Sequence, residues 1–300
     1  KVNNIDLEEA YLETKKLIES SDKSCKMVFA PNTEFIMCAQ KDKEFFEILN
    51  KSDLSTPDSI GVEMAAKRMK KPLKQRIQGQ KYFRKIVEEG EKLGWSFYIL
   101  GGKGDTPNKA VENLKKIYPK LNVIGLHEGY FENVEDEKKV IEEINSLKPN
   151  VLIVAMGAPK QEKWIYANKE RLEVDIACGQ GGTLDYEAGN VKRAPEFFQR
   201  VGLEWLWRLI KQPSRIIRML VLPKFLFKVI SDWVNVWLEP LRITVVSDWY
   251  IGVWISNPYI HPIMQTQAVI VINIPNLDFI NVNNSFKLYV LVTKYLFLIP

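Results

Sequence analysis

Asp58 stands in the run Ser55-Thr-Pro-Asp-Ser-Ile-Gly61, just ahead of an apolar helical stretch. A carboxylate placed there has two readings. It can accept from the free N–H groups of a first helical turn, as an N-cap. It can also act as a general base, if an acceptor hydroxyl comes within hydrogen-bonding reach. Asn32 follows a short apolar run and Pro31, and by itself reads as a turn residue. The run Gly157-Ala158-Pro159-Lys160-Gln161-Glu162 suits a phosphate. Its glycine lets backbone approach a ligand, its proline suits a helix start, and the free N–H groups there favour an anion. Gln161 and Glu162 fall in the first turn beyond, where Gln161 either reaches that ligand or is solvated. Gly101-Gly102-Lys103-Gly104 completes neither G-x-G-x-x-G nor a Walker loop, and reads as a tight turn or a nucleotide contact. The candidate substrate-binding set is therefore Gly101, Gly102, Gly157, Ala158, Pro159, Gln161 and Glu162. Gly179-Gln-Gly-Gly182 opens one more such loop.

No Asp-x-Asp motif exists in the chain, and Glu135-Asp136-Glu137 reads as the acidic first turn of a helix. Three cysteines (Cys25, Cys38, Cys178) and two histidines (His127, His261) are too few and too scattered for a metal site or a disulfide framework. No metal and no cofactor is expected, and the cysteines suit a reducing, cytoplasmic compartment. Phosphates would then need cations from side chains. Arg208, Arg215 and Arg218 are spaced by seven and three, along one face if a helix survives Pro213. Arginine binds phosphate through two N–H groups and keeps its charge, so such a row could replace a metal. A solvated basic face is the alternative.

The elements that must position these residues alternate in kind. Helical spacing runs from Asp6 to about Ser20, over 79–93, 106–118 and 134–147, and from Pro159 to about Lys169. Between them lie strand-like apolar runs at 26–30, 95–100, 121–126, 151–156 and 174–178, without polar alternation. Buried parallel strands look like this. The expected fold is an open, Rossmann-like, mostly parallel α/β sheet with helices on both faces.

Charge marks a second region. Residues 1–191 carry 30 Lys and Arg against 31 Asp and Glu, whereas 192–242 carry 10 against 4. That basic stretch, rich in Trp and Leu and punctuated by Pro195, Pro213, Pro223 and Pro240, reads as short helices, each opened by a proline. A neutral α/β domain over 1–191 and a basic helical segment over 192–242 are expected, the basic block suiting an anionic partner: nucleic acid, a phosphate ligand or a membrane surface. The low-charge remainder, 243–300, offers only weak β-patterning at 268–274 and reads as a tail of uncertain origin. No apolar run reaches the 18 residues of a membrane span. The first residues lack a signal-peptide core, and the chain opens on Lys rather than Met, as a fragment would.

Two stretches carry a resemblance. They are Val151-Leu-Ile-Val-Ala-Met-Gly-Ala-Pro-Lys-Gln-Glu-Lys-Trp-Ile165 and Gly189-Asn-Val-Lys-Arg-Ala-Pro195. The second continues through Gly202-Leu-Glu-Trp-Leu-Trp-Arg-Leu-Ile210 to Pro213-Ser-Arg215. Over about residues 1–242 the chain resembles the WecG/TagA/CpsF glycosyltransferases, with weaker support at Pro31-Asn32, Pro57-Asp58 and Gly129-Tyr130-Phe131. The resemblance implies an inverting, metal-independent transferase that uses a UDP-sugar, often UDP-N-acetylmannosamine. The implied acceptor is an undecaprenyl-diphosphate-linked sugar in teichoic acid, capsule or other surface polysaccharide synthesis. It implies Asp58 as base, Asn32 as an active-site polar residue and Gln161 in the sugar-nucleotide loop. Arg208, Arg215 and Arg218 become the diphosphate-holding residues of a membrane-associated appendage. The implied location is the inner face of the cell membrane, bound peripherally to its anionic surface, with a homo-oligomer as one option. Two positions depart: Ala30 stands where many members have Thr, and Lys81 where many have Asp.

Two other classes stay open on residues alone. The 192–242 block, with Trp205, Trp207 and Trp233, could stack on nucleic-acid bases, although no recognised RNA-binding motif is present and no nucleic-acid partner is expected. The scaffold could also carry a dinucleotide-dependent oxidoreductase, which the missing G-x-G-x-x-G disfavours.

Overall fold

Asp6 sets the first helix going. Its side chain accepts from the Glu9 N–H while Glu9 reaches back to the Asp6 N–H, closing a capping box ahead of α1 (Leu7–Ile18). The acidic first turn and the basic last turn of α1 both suit the helix dipole. The computed structural model describes residues 1–191, 193–195, 197–198, 204–211, 221–225, 227, 229, 243–247, 250–253, 289–292 and 295–298. The chain divides into two compact units, Lys1–Leu226 and Phe227–Pro300.

In the first unit, α1 leads to β1 (Lys26–Phe29), α2 (Thr33–Ala39), α3 (Lys43–Lys51), β2 (Leu54–Ser55) and α4 (Ile60–Arg68). Then come α5 (Gly79–Leu93), β3 (Ser96–Gly101), α6 (Thr106–Ile117), β4 (Asn122–His127) and α7 (Val134–Leu147). The series ends with β5 (Val151–Ala155), α8 (Lys160–Asn168), β6 (Ile176–Gly179), α9 (Thr183–Glu187) and α10 (Glu204–Lys211). The six strands form one sheet in the order β2-β1-β6-β5-β3-β4, and every pairing is parallel. This is the expected Rossmann-like α/β fold.

Successive strand residues point to opposite faces, and the two cores show it. Phe97, Ile99, Val151 and Ile153 join residues of α1, α5, α6 and α9 on one face. Tyr98, Leu100, Leu152 and Val154 join residues of α2, α3, α7 and α8 on the other. The helix after β3 therefore covers one face and the helix after β5 the opposite one. Open α/β sheets bind ligands at the carboxyl ends of strands where the crossover direction reverses in this way. Gly101 allows the close approach. Its φ is 114°, and a β-carbon there would meet the Ala155 carbonyl carbon at 2.5 Å.

A part-buried ion pair fixes the short helix α9. Glu187 accepts from Arg84 through both carboxylate oxygens at 3.0 Å and from Gln80 at 2.9 Å, joining α9 to α5.

Where it is described, the appendage is helical at 197–198, shortly after Pro195, in α10 with Glu204 in its first turn, and at 221–225. Pro213 and Pro240 lie outside the described residues, and Pro223 falls within the helical residues 221–225. The second unit contributes two antiparallel pairs, β7 (Ile243–Ser247) with β8 (Tyr250–Val253), and β9 (Tyr289–Val292) with β10 (Tyr295–Leu298). The run at 268–274 is outside the described residues. Among the described residues, no helix is long and apolar enough to cross a membrane.

Candidate active site

Three segments are laced together at the carboxyl end of β1. The Thr56 N–H donates to Phe29 O at 2.9 Å, the Asp58 N–H to Pro31 O at 3.2 Å, and the Ile77 N–H to Pro57 O at 2.8 Å. These bonds bring the Pro31-Asn32 loop, the Asp58 loop and the start of α5 to one place. A β-carbon on Gly79 would lie 3.3 Å from Asp58 Oδ2, 3.8 Å from Gln180 Oε1 and 3.9 Å from the Ala30 methyl. The loops after β1, β2 and β6 thus converge on the Asp58 carboxylate, which is half-buried.

The capping reading of Asp58 fails. Ser59 is the N-cap of α4, and its hydroxyl accepts from the Val62 N–H at 3.2 Å. The same hydroxyl lies 3.0 Å from that of Thr33. Asn32 does cap a helix: its Oδ1 accepts from the Phe35 N–H at 3.1 Å, anchoring α2 beside the Asp58 loop.

A second cluster sits after β5. Gln161 is buried rather than solvated. Its Oε1 accepts from the Gly157 N–H at 3.0 Å, and its Nε2 donates to Glu162 Oε1 at 2.6 Å. The N–H that the loop might offer an anion is therefore held, in this conformation, by Gln161. A β-carbon on Gly181 would meet Gln161 Oε1 at 2.6 Å and the Gly157 N at 2.9 Å, so the loops after β5 and β6 touch. The peptide before Pro159 is cis, with Ala158 half-buried ahead of α8. Glu162 is fully buried, and its Oε2 has no hydrogen-bond partner. Burial without a counter-charge pushes its carboxyl up to about 7, against the Gln161 hydrogen bond, which lowers it.

Gly101 and Gly102 close the far side, where the Gly102 N–H donates to Ala155 O at 3.1 Å. Next to them His127, Phe131 and Trp164 stack in sequence, with ring centroids 5.9 and 6.3 Å apart. Arg208 falls within α10 with its side chain outside the description, and Arg215 and Arg218 lie outside the described residues. Arg193 and Glu204 both reach Gln78, the residue before α5, at 2.5 and 3.2 Å. That contact ties the start of the basic segment to the loop beside Asp58. Among the described residues, no three His, Cys, Asp or Glu side chains group closely enough to hold a metal ion.

Sequence reasoning missed Gln180 and Gly79 as neighbours of Asp58. The Gly-Gln-Gly-Gly run was the available signal for Gln180, which is buried and whose Oε1 accepts from the Thr183 hydroxyl at 2.8 Å.

A family model described as the WecG/TagA/CpsF family of glycosyl transferases matches residues 1–238. The chain belongs to that family. It is a glycosyltransferase, which decides among the three classes left open above. Among its relatives is the N-acetylglucosaminyldiphosphoundecaprenol N-acetyl-beta-D-mannosaminyltransferase of Bacillus subtilis (strain 168). The two are 34% identical over 204 residues, covering 68% of this chain and 78% of the relative. The enzyme of the same name from Staphylococcus aureus (strain MW2) is 31% identical over 202 residues, covering 67% and 78%.

Proposed function

We propose that this glycosyltransferase moves N-acetylmannosamine, or a closely related hexosamine, from a UDP-sugar to a polyprenyl-diphosphate-linked N-acetylglucosamine. The step would serve teichoic acid or another surface polysaccharide. The names of the Bacillus and Staphylococcus relatives support the transferred sugar and the acceptor. The observation that supports the chemistry is the convergence of the β1, β2 and β6 loops beside Asp58.

In this reading the acceptor hydroxyl loses its proton to Asp58 as its oxygen attacks the anomeric carbon in line. The bond from that carbon to the UDP oxygen breaks, UDP departs with the electron pair, and configuration inverts. Arg208, Arg215 and Arg218 neutralise the diphosphate, so no metal is required. The basic 192–242 segment docks peripherally on an anionic membrane, at the depth where a polyprenyl-linked diphosphate resides.

A UDP-release assay tests this. A short-chain lipid-diphosphate N-acetylglucosamine acceptor is offered UDP-N-acetylmannosamine, UDP-N-acetylglucosamine and UDP-glucose in turn. Turnover strongest with the first, undiminished by EDTA and lost in Arg215→Lys, is the expected result. Equal turnover with UDP-glucose, or a strict need for Mg²⁺, would overturn the donor or the metal-free chemistry respectively.

A further inference from the structure

Residues 63–76 carry six Lys and Arg and one acid, Glu63, a concentration that the near-neutral balance of residues 1–191 conceals. α4 turns Gly61 and Val62 inward and leaves Met64, Lys67 and Arg68 exposed. It ends in a Schellman turn, in which the Lys71 N–H donates to Ala66 O at 2.9 Å and the Lys70 N–H to Lys67 O at 3.1 Å. The left-handed position of such a turn favours glycine. Here it is Lys70, with φ at 56°. A β-carbon in that conformation is strained, so the fold accepts a local cost to present a long cation at the tip. Beside it Met69 is 69% exposed and, one turn back, Met64 is 49% exposed. Lys74, further on, is engaged elsewhere by Glu9 at 2.5 Å.

We propose that Met64, Lys67, Arg68, Met69, Lys70 and Lys71 form a docking surface for an anionic phospholipid bilayer. The choice of a bilayer rests on the lipid-linked acceptor proposed above. Cations around flexible apolar thioethers match an anionic headgroup layer over acyl chains. The placement fits too. α4 starts directly after Asp58, and helical rise puts the tip about 16 Å from it. Phe225, buried, would meet a β-carbon on Gly61 at 3.4 Å, so the basic C-terminal segment packs on the first turn of the same helix. One helix then links base, appendage and bilayer, and sets how far the carboxylate stands from the headgroups.

The test is co-sedimentation of the full chain with vesicles of equal parts phosphatidylglycerol and phosphatidylcholine. Lys70→Glu combined with Lys71→Glu should lower partition by about tenfold or more, without altering any residual binding to pure phosphatidylcholine. Lys70→Gly controls for folding. It should raise the melting midpoint by about 2 °C by relieving the left-handed strain, while still lowering partition about fivefold. Undiminished partition of the charge-reversed protein would sink the proposal, as would an equal loss on neutral vesicles. Turnover separates this surface from the transferase reading. The charge-reversed protein should match wild type on a water-soluble short-chain acceptor and fall behind on a vesicle-borne one. Lost turnover on vesicles with intact partition would overturn the surface and mark these lysines as contacts for acceptor or protein. A wild-type chain inert on both acceptors would overturn the transferase reading, and partition would still decide the surface.

Discussion

The Asp58 N–H donates to the carbonyl oxygen of Pro31, across the pair β1–β2. That bond joins two exit loops and holds the Asp58 loop beside the Asn32 cap. Positioning of this kind is what a general base needs, because proton abstraction tolerates little wander.

Asp58→Asn should cut turnover by about 10²–10⁴-fold while donor affinity stays within a few-fold. Its partner control is Ser59→Ala. Loss of the α4 cap should cost about 1 kcal/mol of stability and leave most turnover. Steady-state kinetics and denaturant melts on both variants separate the roles. Turnover near wild type in Asp58→Asn would remove it as base.

Gly79→Ala tests the convergence itself. Gly79 has ordinary helical φ, and alanine is the better helix former, so the fold should tolerate it. The new methyl would stand 3.3 Å from Asp58 Oδ2, a contact that one of them must relieve. Turnover should fall about tenfold with the melting midpoint nearly unchanged. A drop in both together would point to a packing defect instead.

Glu162 should give the stability curve a pH slope. Its folded carboxyl titrates at about 7 against 4.5 for the unfolded group. Below the unfolded value both states hold the proton and nothing is lost. Between the two values only the folded state holds it, so stability falls as pH rises toward 7, by on the order of 1–3 kcal/mol. Glu162→Gln keeps an acceptor for Gln161 without the charge. Its advantage over wild type should therefore grow from pH 5 to pH 7.5 in parallel urea melts. A constant difference would mean the carboxyl does not titrate in that window.

Gly101→Ala should be among the most damaging single changes. It forces a β-carbon into the Ala155 backbone at a φ of 114°. A loss of roughly 3 kcal/mol or more is expected, measurable by urea denaturation. A loss below 1 kcal/mol would show that the two strands can part at little cost.

The long elements were legible because their patterns are redundant. β3 and β5 are unbroken apolar runs closed by glycine, and α5 repeats its buried face from Tyr82 to Gly90 before the left-handed Gly94 stops it. The stretch 33–55 was not read. α2 and α3 are only 7 and 9 residues long, and β2 has only two, Leu54 and Ser55, too few for a period to show clearly. At the site, Asp58 and the Gly157–Glu162 loop announced themselves by residue type. Their neighbours did not, since Gly79 and Gln180 reach Asp58 only through the strand order. Nor could spacing tell that the hydroxyl beside Asp58, and not Asp58, would cap α4.

The place of β6 in the sheet has a consequence for how the chain is made. Among the described strands, β6 is the one that lies between β1 and β5 and joins β2-β1 to β5-β3-β4. Without residues 176–179 the earlier strands have partners only as two half-sheets, β2-β1 and β5-β3-β4, and the β6 loop beside Asp58 is missing. Unpaired strand edges recruit other strands. A chain stopped short of β6 is thus exposed to aggregation, and this keystone strand couples closure of the sheet to the placing of the loop beside Asp58.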